Sequence, residues 1–489
     1  MRTFICFCIF VCTNILSMNT FFAQPAYGIA GSAETYNPNN PSGGPKSCYN
    51  PSTGDPCRTI FWVHGLGGDA LKAWQKVGPD IETNYWVDSE FPEYPQISLK
   101  SAGQGLLDAI KNSEGVNRPL EDRLKPFVIA HSQGGLAVRA ADLERTNTQR
   151  GDPYFGGIVT YGTPHGGAPI LQHVDDMVDL MEEGCVHIAN SKLTEFVESN
   201  FLLDLLINPE KIKEKIIKPA CEFVSGLAPT FAADFLSPIT DEYKQKPVFF
   251  NEFNSKIRNN VAFYGVEEDP VFFRLLKWLK TSAETVPVYT ANEDQDMVDK
   301  VNLISDEYYL KYTSQQRWVD WLDGLWWHPG GWFGTWGLKN DYQKKANANR
   351  AVFDWFKTVD NKWKVIIGSG AGRKVVTESY CVCVAYDGGG SEYRKDIYSN
   401  ISFEECDEKN VGWDYYCSHR EIFHYEFEEL EESDGVVPVS SAIDFPNSYK
   451  GELKYSNHQQ MRNDGNTKRE MAKLLETNTY GTFFITQRH

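Results

Sequence analysis

The ten residues 126–135, PFVIAHSQGG, constrain this chain more than any other stretch. Phe127, Val128, Ile129 and Ala130 form an uninterrupted apolar run, the pattern of a strand buried on both faces. His131, Ser132, Gln133, Gly134 and Gly135 follow, and LAVRAADLERT then carries a helical pattern. The order is strand, small-residue turn, helix, with one serine at the apex. Such a turn lifts a hydroxyl above the edge of a sheet, the setting of G-x-S-x-G nucleophiles. Ala130 stands where that motif has its first glycine, and alanine is still small enough for a close strand-to-helix approach.

Two further apolar runs end in glycine-rich turns. Thr59–Val63, TIFWV, runs into His64-Gly65-Leu66-Gly67-Gly68. Gly157–Tyr161, GIVTY, runs into GTPHGG (162–167). Between them, Leu99–Lys111 has the spacing of an amphipathic helix. Strands that alternate with helices predict a parallel α/β sheet, whose active loops gather at the carboxyl ends of the strands. Acyl transfer through Ser132 requires two backbone N–H donors aimed at one oxyanion. The residue after the serine, Gln133, and the glycine-rich loop at Leu66 are the candidates for those donors.

The stretches VHGLGG (63–68), VIAHSQGG (128–135), YGTPHGG (161–167), SDGVVPVSSA (433–442) and NHQQMRND (457–464) together resemble the α/β-hydrolase superfamily, and within it bacterial-type lipases and esterases. The resemblance anchors both ends of a core and leaves most of residues 168–430 without a family pattern. It implies an α/β class fold, the α/β-hydrolase fold, with a mostly parallel central sheet flanked by helices. It also implies a triad in the chain order serine, acid, histidine. Asp434 opens a turn able to present a carboxylate, and His458 follows a short strand pattern in ELKYS (452–456). In this reading Ser132 attacks, His458 moves the proton and Asp434 holds the imidazole tautomer. A competing acid lies after the strand pattern VAFYGV (261–266), at Glu267, Glu268 or Asp269. Asp434 is preferred because its motif matches the family more fully, and because WKVIIGSG (363–370) reads as another strand before it. His64, His131 and His165 read as positioning or packing residues.

Two insertions interrupt this core. Residues 58–167 read as its first half and 363–489 as its second. Residues 168–362 are too long for a loop and predict a mainly helical cap. Its apolar pieces are FVESNFLLDLLI (196–207), CEFVSGLAPTFAADFL (221–236) and VFFRLLKWL (271–279). RWVDWLDGLWWHPGGWFGTW (317–336) adds Trp318, Trp321, Trp326, Trp327, Trp332 and Trp336. That aromatic stretch admits three readings: cap core, a lid or acyl pocket over Ser132, or a patch that contacts lipid surfaces. Residues 371–430, with four cysteines and the loop YDGGGSEYRKD, predict a smaller disulfide-braced insertion.

The chain start places Arg2 before the apolar run 3–18, with Ala23 as a cleavage position, which predicts a signal peptide over 1–23 and an exported, secreted or periplasmic, product. Residues 24–57, rich in Gly, Pro, Asn and Ser, predict an irregular leader. Cys6, Cys8 and Cys12 fall in the removed segment, and the remaining eight cysteines predict up to four disulfides. Neighbourhood favours Cys48 with Cys57 and Cys185 with Cys221, and leaves Cys381, Cys383, Cys406 and Cys417 to pair among themselves.

A formal charge of -18 argues against a nucleic-acid partner. No EF-hand spacing, zinc knuckle or phosphate loop is present, and GSGAG (368–372) lacks the helix a dinucleotide site needs, so neither metal nor cofactor is expected. The chemistry expected is hydrolysis of a small-molecule or lipid ester. A phospholipase, a glycolipid-anchor deacylase or an amidase could use the same triad, and a silent apolar-ligand binder is the alternative outside catalysis. Oligomeric state is not legible.

Overall fold

The structure is a computed structural model. It describes residues 48, 50–52, 54, 57–111, 125–148, 155–177, 179–180, 183, 237–250, 259–279, 294–324, 332–386, 392–409 and 415–488. The signal-peptide expectation, the Cys185–Cys221 pairing and the apolar pieces 196–207 and 221–236 lie outside the described residues.

Six strands form the central sheet. They are β1 (Arg58–Val63), β2 (Val87–Glu90), β3 (Phe127–His131), β4 (Gly157–Tyr161), β5 (Asn259–Val266) and, after the insertions, a last strand at Ser448–Lys454. Their order is β2-β1-β3-β4-β5 and then the last strand, with every neighbouring pair parallel. All five residues of β3 and all five of β4 are buried. This is why both read as unbroken apolar runs: helices cover the sheet on both faces.

The period of two divides these runs between two cores. Phe61, Val63, Val128, Ala130 and Ile158 face one side. There they meet helix α1 (Leu99–Lys111) and helix α2 (Gln133–Thr148). Ile60, Trp62, Ile129, Val159 and Tyr161 face the other, against Val77 and Ile81 of the helix Val77–Asn84 and Leu474 and Leu475 of the helix Gly465–Glu476.

The expected cap span 168–362 is corrected here, because β5 (Asn259–Val266), a strand of the central sheet, lies within it; after that strand come α3 (Val271–Leu279) and two long helices, α4 (Gln295–Gly324) and α5 (Trp332–Ile366). At 30 and 35 residues these reach roughly 45 and 52 Å. None of the described helices is long and apolar enough to cross a membrane. Trp355, Phe356, Val359 and Trp363 of α5 belong to the same core as α1 and α2. Each such side chain contributes about 2 kcal/mol by burial. Trp355 and Phe356 pack on Phe273 of α3, and Trp363 packs on Phe272.

The expectation of a strand over 363–370 is corrected here. Trp363, Lys364, Val365 and Ile366 are the last turn of α5, and the next strand starts only at Gly370. A short apolar run looks the same in a buried helix as in a buried strand, and Trp363, fully buried, satisfies either.

The smaller insertion is an antiparallel sheet in the order β7-β6-β8, built from β6 (Gly370–Tyr386), β7 (Glu392–Ser399) and β8 (Tyr415–Leu430). Part of the expected loop YDGGGSEYRKD is thus strand, from Glu392 onward. Disulfides Cys381–Cys406 and Cys383–Cys417 brace this sheet, and Cys48–Cys57 closes the leader. The last strand of the central sheet, Ser448–Lys454, is β9.

Candidate active site

The site is assembled above the carboxyl ends of β1, β3, β4, β5 and β9. At the end of β3 the chain turns sharply into α2, and Ser132 takes a left-handed φ of 53°. A non-glycine residue in that region costs about 1–2 kcal/mol, which the flanking elements must over-determine. Here the Ser132 N–H donates to the Tyr161 carbonyl at 2.8 Å, and its own carbonyl accepts from Gly135 N–H at 3.1 Å. Ala130 fits as the first residue of the motif because it lies in register between Val63 and Thr160 inside the sheet. Gly134 has no such freedom, because a Cβ there would collide with the His64 carbonyl oxygen.

His458 follows β9 and faces the serine. Its Nε2 lies 2.9 Å from Ser132 Oγ, and its Nδ1 lies 2.7 Å from Asp434 Oδ2. Asp434 is buried, and its other oxygen, Oδ1, accepts the N–H groups of Val436 and Val437 at 2.9 and 2.7 Å. One carboxylate oxygen is thereby locked by backbone and the other is left to the imidazole. The His458 N–H also donates to the Asp434 carbonyl at 2.7 Å, so the two loops are joined by main chain as well. Gly162, with φ of 54°, leaves room for this pair: a Cβ there would sit 2.7 Å from Asp434 Oδ2.

Glu267, Glu268 and Asp269 do not meet His458. Glu267 is buried beside Arg274 and Asp294, and Asp269 pairs with Lys364 at 2.6 Å. Burial, and next the Asp294 carboxylate, push the Glu267 carboxyl up to about 8.

The loop after β1 lies against the elbow. A Cβ at Gly65 would stand 2.8 Å from the Ser132 Cβ, so the backbone around Leu66 passes beside Ser132. Leu66 is half-buried on the core, and Gln133 is the buried first residue of α2. The Gln133 side-chain amide has no hydrogen-bond partner among the described residues.

The remaining histidines build the walls. His64 Nε2 is 2.8 Å from Glu93, and its ring stacks on Tyr94. His131 Nε2 is 2.8 Å from the His458 carbonyl oxygen. His165 sits between Thr160 and Arg139, each at 3.1 Å. Burial holds His131 and His165 well below the ordinary histidine range, so both stay neutral.

Sequence reasoning missed Asn457, Asp294, Arg274, Glu93 and Trp363. The Trp363 indole donates to the Gly435 carbonyl at 2.8 Å, tying α5 to the loop that carries Asp434. Only Asn457, adjacent to His458, carried any signal in the chain itself.

A six-stranded parallel sheet with this order, a left-handed serine between β3 and α2, and acid and histidine loops after the later strands define one architecture. The fold is the α/β-hydrolase fold. Solved α/β-hydrolases are similar to this chain at a distance. The mature lipase BlEst2 of Bacillus licheniformis is 18% identical over 47% of this chain and 75% of its own, at a TM-score of 0.23. A type II thioesterase of the yersiniabactin pathway is 14% identical over 43% of this chain and 74% of its own, at a TM-score of 0.26. An extracellular α/β-hydrolase from a Paenibacillus species is 14% identical over 42% of this chain and 77% of its own, at a TM-score of 0.22. No family model and no curated protein matches the chain. Strand order and the left-handed Ser132 turn mark the α/β-hydrolase fold in this chain.

Proposed function

We propose that this protein is an exported serine hydrolase that cleaves carboxylic esters of lipid-like substrates. The observation that carries the reading is the unbroken relay from Ser132 Oγ through His458 to Asp434 Oδ2, at 2.9 and 2.7 Å. Ser132 adds to the ester carbonyl while His458 Nε2 takes its proton. The backbone N–H groups of Leu66 and Gln133 receive the developing oxyanion. His458 then protonates the leaving alcohol, and water, deprotonated by the same imidazole, releases the acyl group and restores Ser132. Asp434 keeps Nδ1 protonated and stabilises the imidazolium. No cofactor takes part in this sequence.

The lipid preference draws support from the cap. Trp318 and Trp321, at 48% and 56% exposure, stand near the end of α4, and Trp318 stacks on Tyr342 of α5. Leu303 and Leu310 are also exposed, and their spacing of seven, with Trp321 eighteen residues on, sets all three on one stripe of α4. An apolar, Trp-bearing stripe suits contact with a lipid–water boundary.

The test is hydrolysis of p-nitrophenyl esters of short and long acyl chains, wild type beside Ser132→Ala. Turnover that falls to background in the alanine variant supports the reading, and a long-chain preference supports a lipase. An inert wild type that a serine-reactive fluorophosphonate still labels at Ser132 retains the nucleophile and rejects the substrate class. Neither turnover nor labelling rejects the enzyme reading.

A further inference from the structure

Asn457 precedes His458, is fully buried, and is anchored on both sides. Its Oδ1 accepts the N–H groups of Gln459 and Gln460, each at 3.1 Å, which folds the loop around His458. Its Nδ2 points the other way and donates to Asp294 Oδ2 at 3.4 Å. Asp294 is 1% exposed and directly precedes α4, accepting the Val298 N–H on its carbonyl. Its second oxygen, Oδ1, takes the Arg274 guanidinium of α3 at 2.6 Å. Arg274 in turn reaches Gln295 at 2.9 Å, and Glu268 at 3.6 Å.

A buried carboxylate shared between a guanidinium and an amide is held in one orientation, because moving it strands a charge away from water. The amide it holds is the one that shapes the histidine loop.

We propose that Asp294 is a positioning residue for His458: the start of cap helix α4 fixes the imidazole through Asn457. The start of α4 is then part of the catalytic frame, and its correct seating is a condition for proton transfer. This inference rests on reading His458 as the base, and its main readout does not need turnover. Asp294 touches neither the serine nor the site of the reacting carbonyl, so its effect must pass through the loop.

The experiment compares wild type with Asp294→Ala and Asp294→Asn by backbone hydrogen exchange, fluorophosphonate labelling rate and ester kinetics. In Asp294→Ala, amides of residues 456–464 should exchange about tenfold faster while those of 127–140 keep their wild-type rates. Labelling of Ser132 and kcat should fall together by about tenfold or more, with KM within twofold. Asp294→Asn keeps the shape and one acceptor oxygen, so it tests the inference where the alanine variant does not fold. It can satisfy only one of its two donors and should show the same changes at about threefold. Unchanged exchange over 456–464 in a folded variant overturns the inference. So does a rise in KM with kcat and labelling intact, which would make Asp294 a residue of substrate binding. If wild-type enzyme neither turns over nor labels, the hydrolase reading fails, and the exchange comparison still decides whether Asp294 holds the loop.

Discussion

The Nε2 of His131 lies 2.8 Å from the carbonyl oxygen of His458, and the two rings are 4.6 Å apart. His131, the residue before Ser132, therefore braces the backbone of His458. Burial, and next the neighbouring His458 and Arg462, push His131 well below the ordinary histidine range. A neutral ring keeps one N–H, and that N–H is directed at the His458 carbonyl.

His131→Phe keeps a flat ring of similar size and removes the donor. The His458 carbonyl then loses a buried partner, at a cost of about 1–3 kcal/mol. The expected result is a fall in kcat of about tenfold with a small drop in melting temperature. Unchanged steady-state kinetics in this variant would show that the main chain of the loop is held without His131.

Asp434 and Glu267 make opposite predictions for isosteric amides. Asp434→Asn replaces the acceptor at His458 Nδ1 with a group that can turn its NH2 toward the ring, which favours the wrong tautomer. Loss of about 10⁴ in kcat is expected by analogy with other triads. Glu267→Gln should stay within a few-fold of wild type, because Glu267 faces Arg274, Asp294 and the Asn457 side chain rather than His458. A larger loss at Glu267 than at Asp434 would move the acid to the end of β5.

The Glu267 carboxyl also predicts a pH dependence of stability. Its folded value is raised from 4.5 to about 8 by burial and by Asp294. Arg274 and the Asn457 side chain act in the opposite direction. Between those values the native state holds a proton that the unfolded chain has released, so unfolding free energy falls as pH rises from about 5 to 8. Above 8 both states are ionised and the dependence ends. Glu267→Gln should remove this slope, a difference on the order of a few kcal/mol across the window. Denaturant melts of both proteins at pH 5 and pH 8 measure it. Parallel slopes for the two would show that Glu267 is ionised in the native protein throughout.

The legible parts of this molecule are those whose signal is local. Leu99–Lys111 has an amphipathic period, and the structure has a helix with those same ends. The buried strands at 127–131 and 157–161 announce themselves because both faces are covered. The Ser132 turn carries its glycines beside it, so its backbone geometry was readable before any tertiary contact. Trp363 was misread because burial erases the period that separates helix from strand. The Asp294–Asn457 bond joins residues 163 positions apart, and nothing in the chain pairs the one with the other. Its donor and acceptor look like any surface polar pair until folding buries them. The same holds for Trp363 and Gly435, which meet only because α5 packs on the acid loop.

The exposed stripe of α4 makes the proposed lipid contact testable. Trp318 and Trp321 are each about half exposed, and their rings touch edge to face, 5.5 Å apart. Burying the rest of such a ring at a bilayer boundary contributes roughly 1–2 kcal/mol. With a formal charge of -18, the protein is repelled by anionic headgroups, so the contact should be apolar and not electrostatic. Binding to zwitterionic phosphatidylcholine vesicles should therefore persist at high salt and weaken as anionic lipid is added. The double variant Trp318→Ala, Trp321→Ala should bind such vesicles about 10- to 100-fold more weakly. It should lose turnover on emulsified long-chain esters while keeping that on soluble short-chain esters. Vesicle cosedimentation across a lipid-charge series measures the first part, and the two substrates measure the second. Binding that instead grows with anionic lipid, or that survives the double substitution, would remove this stripe as the lipid contact.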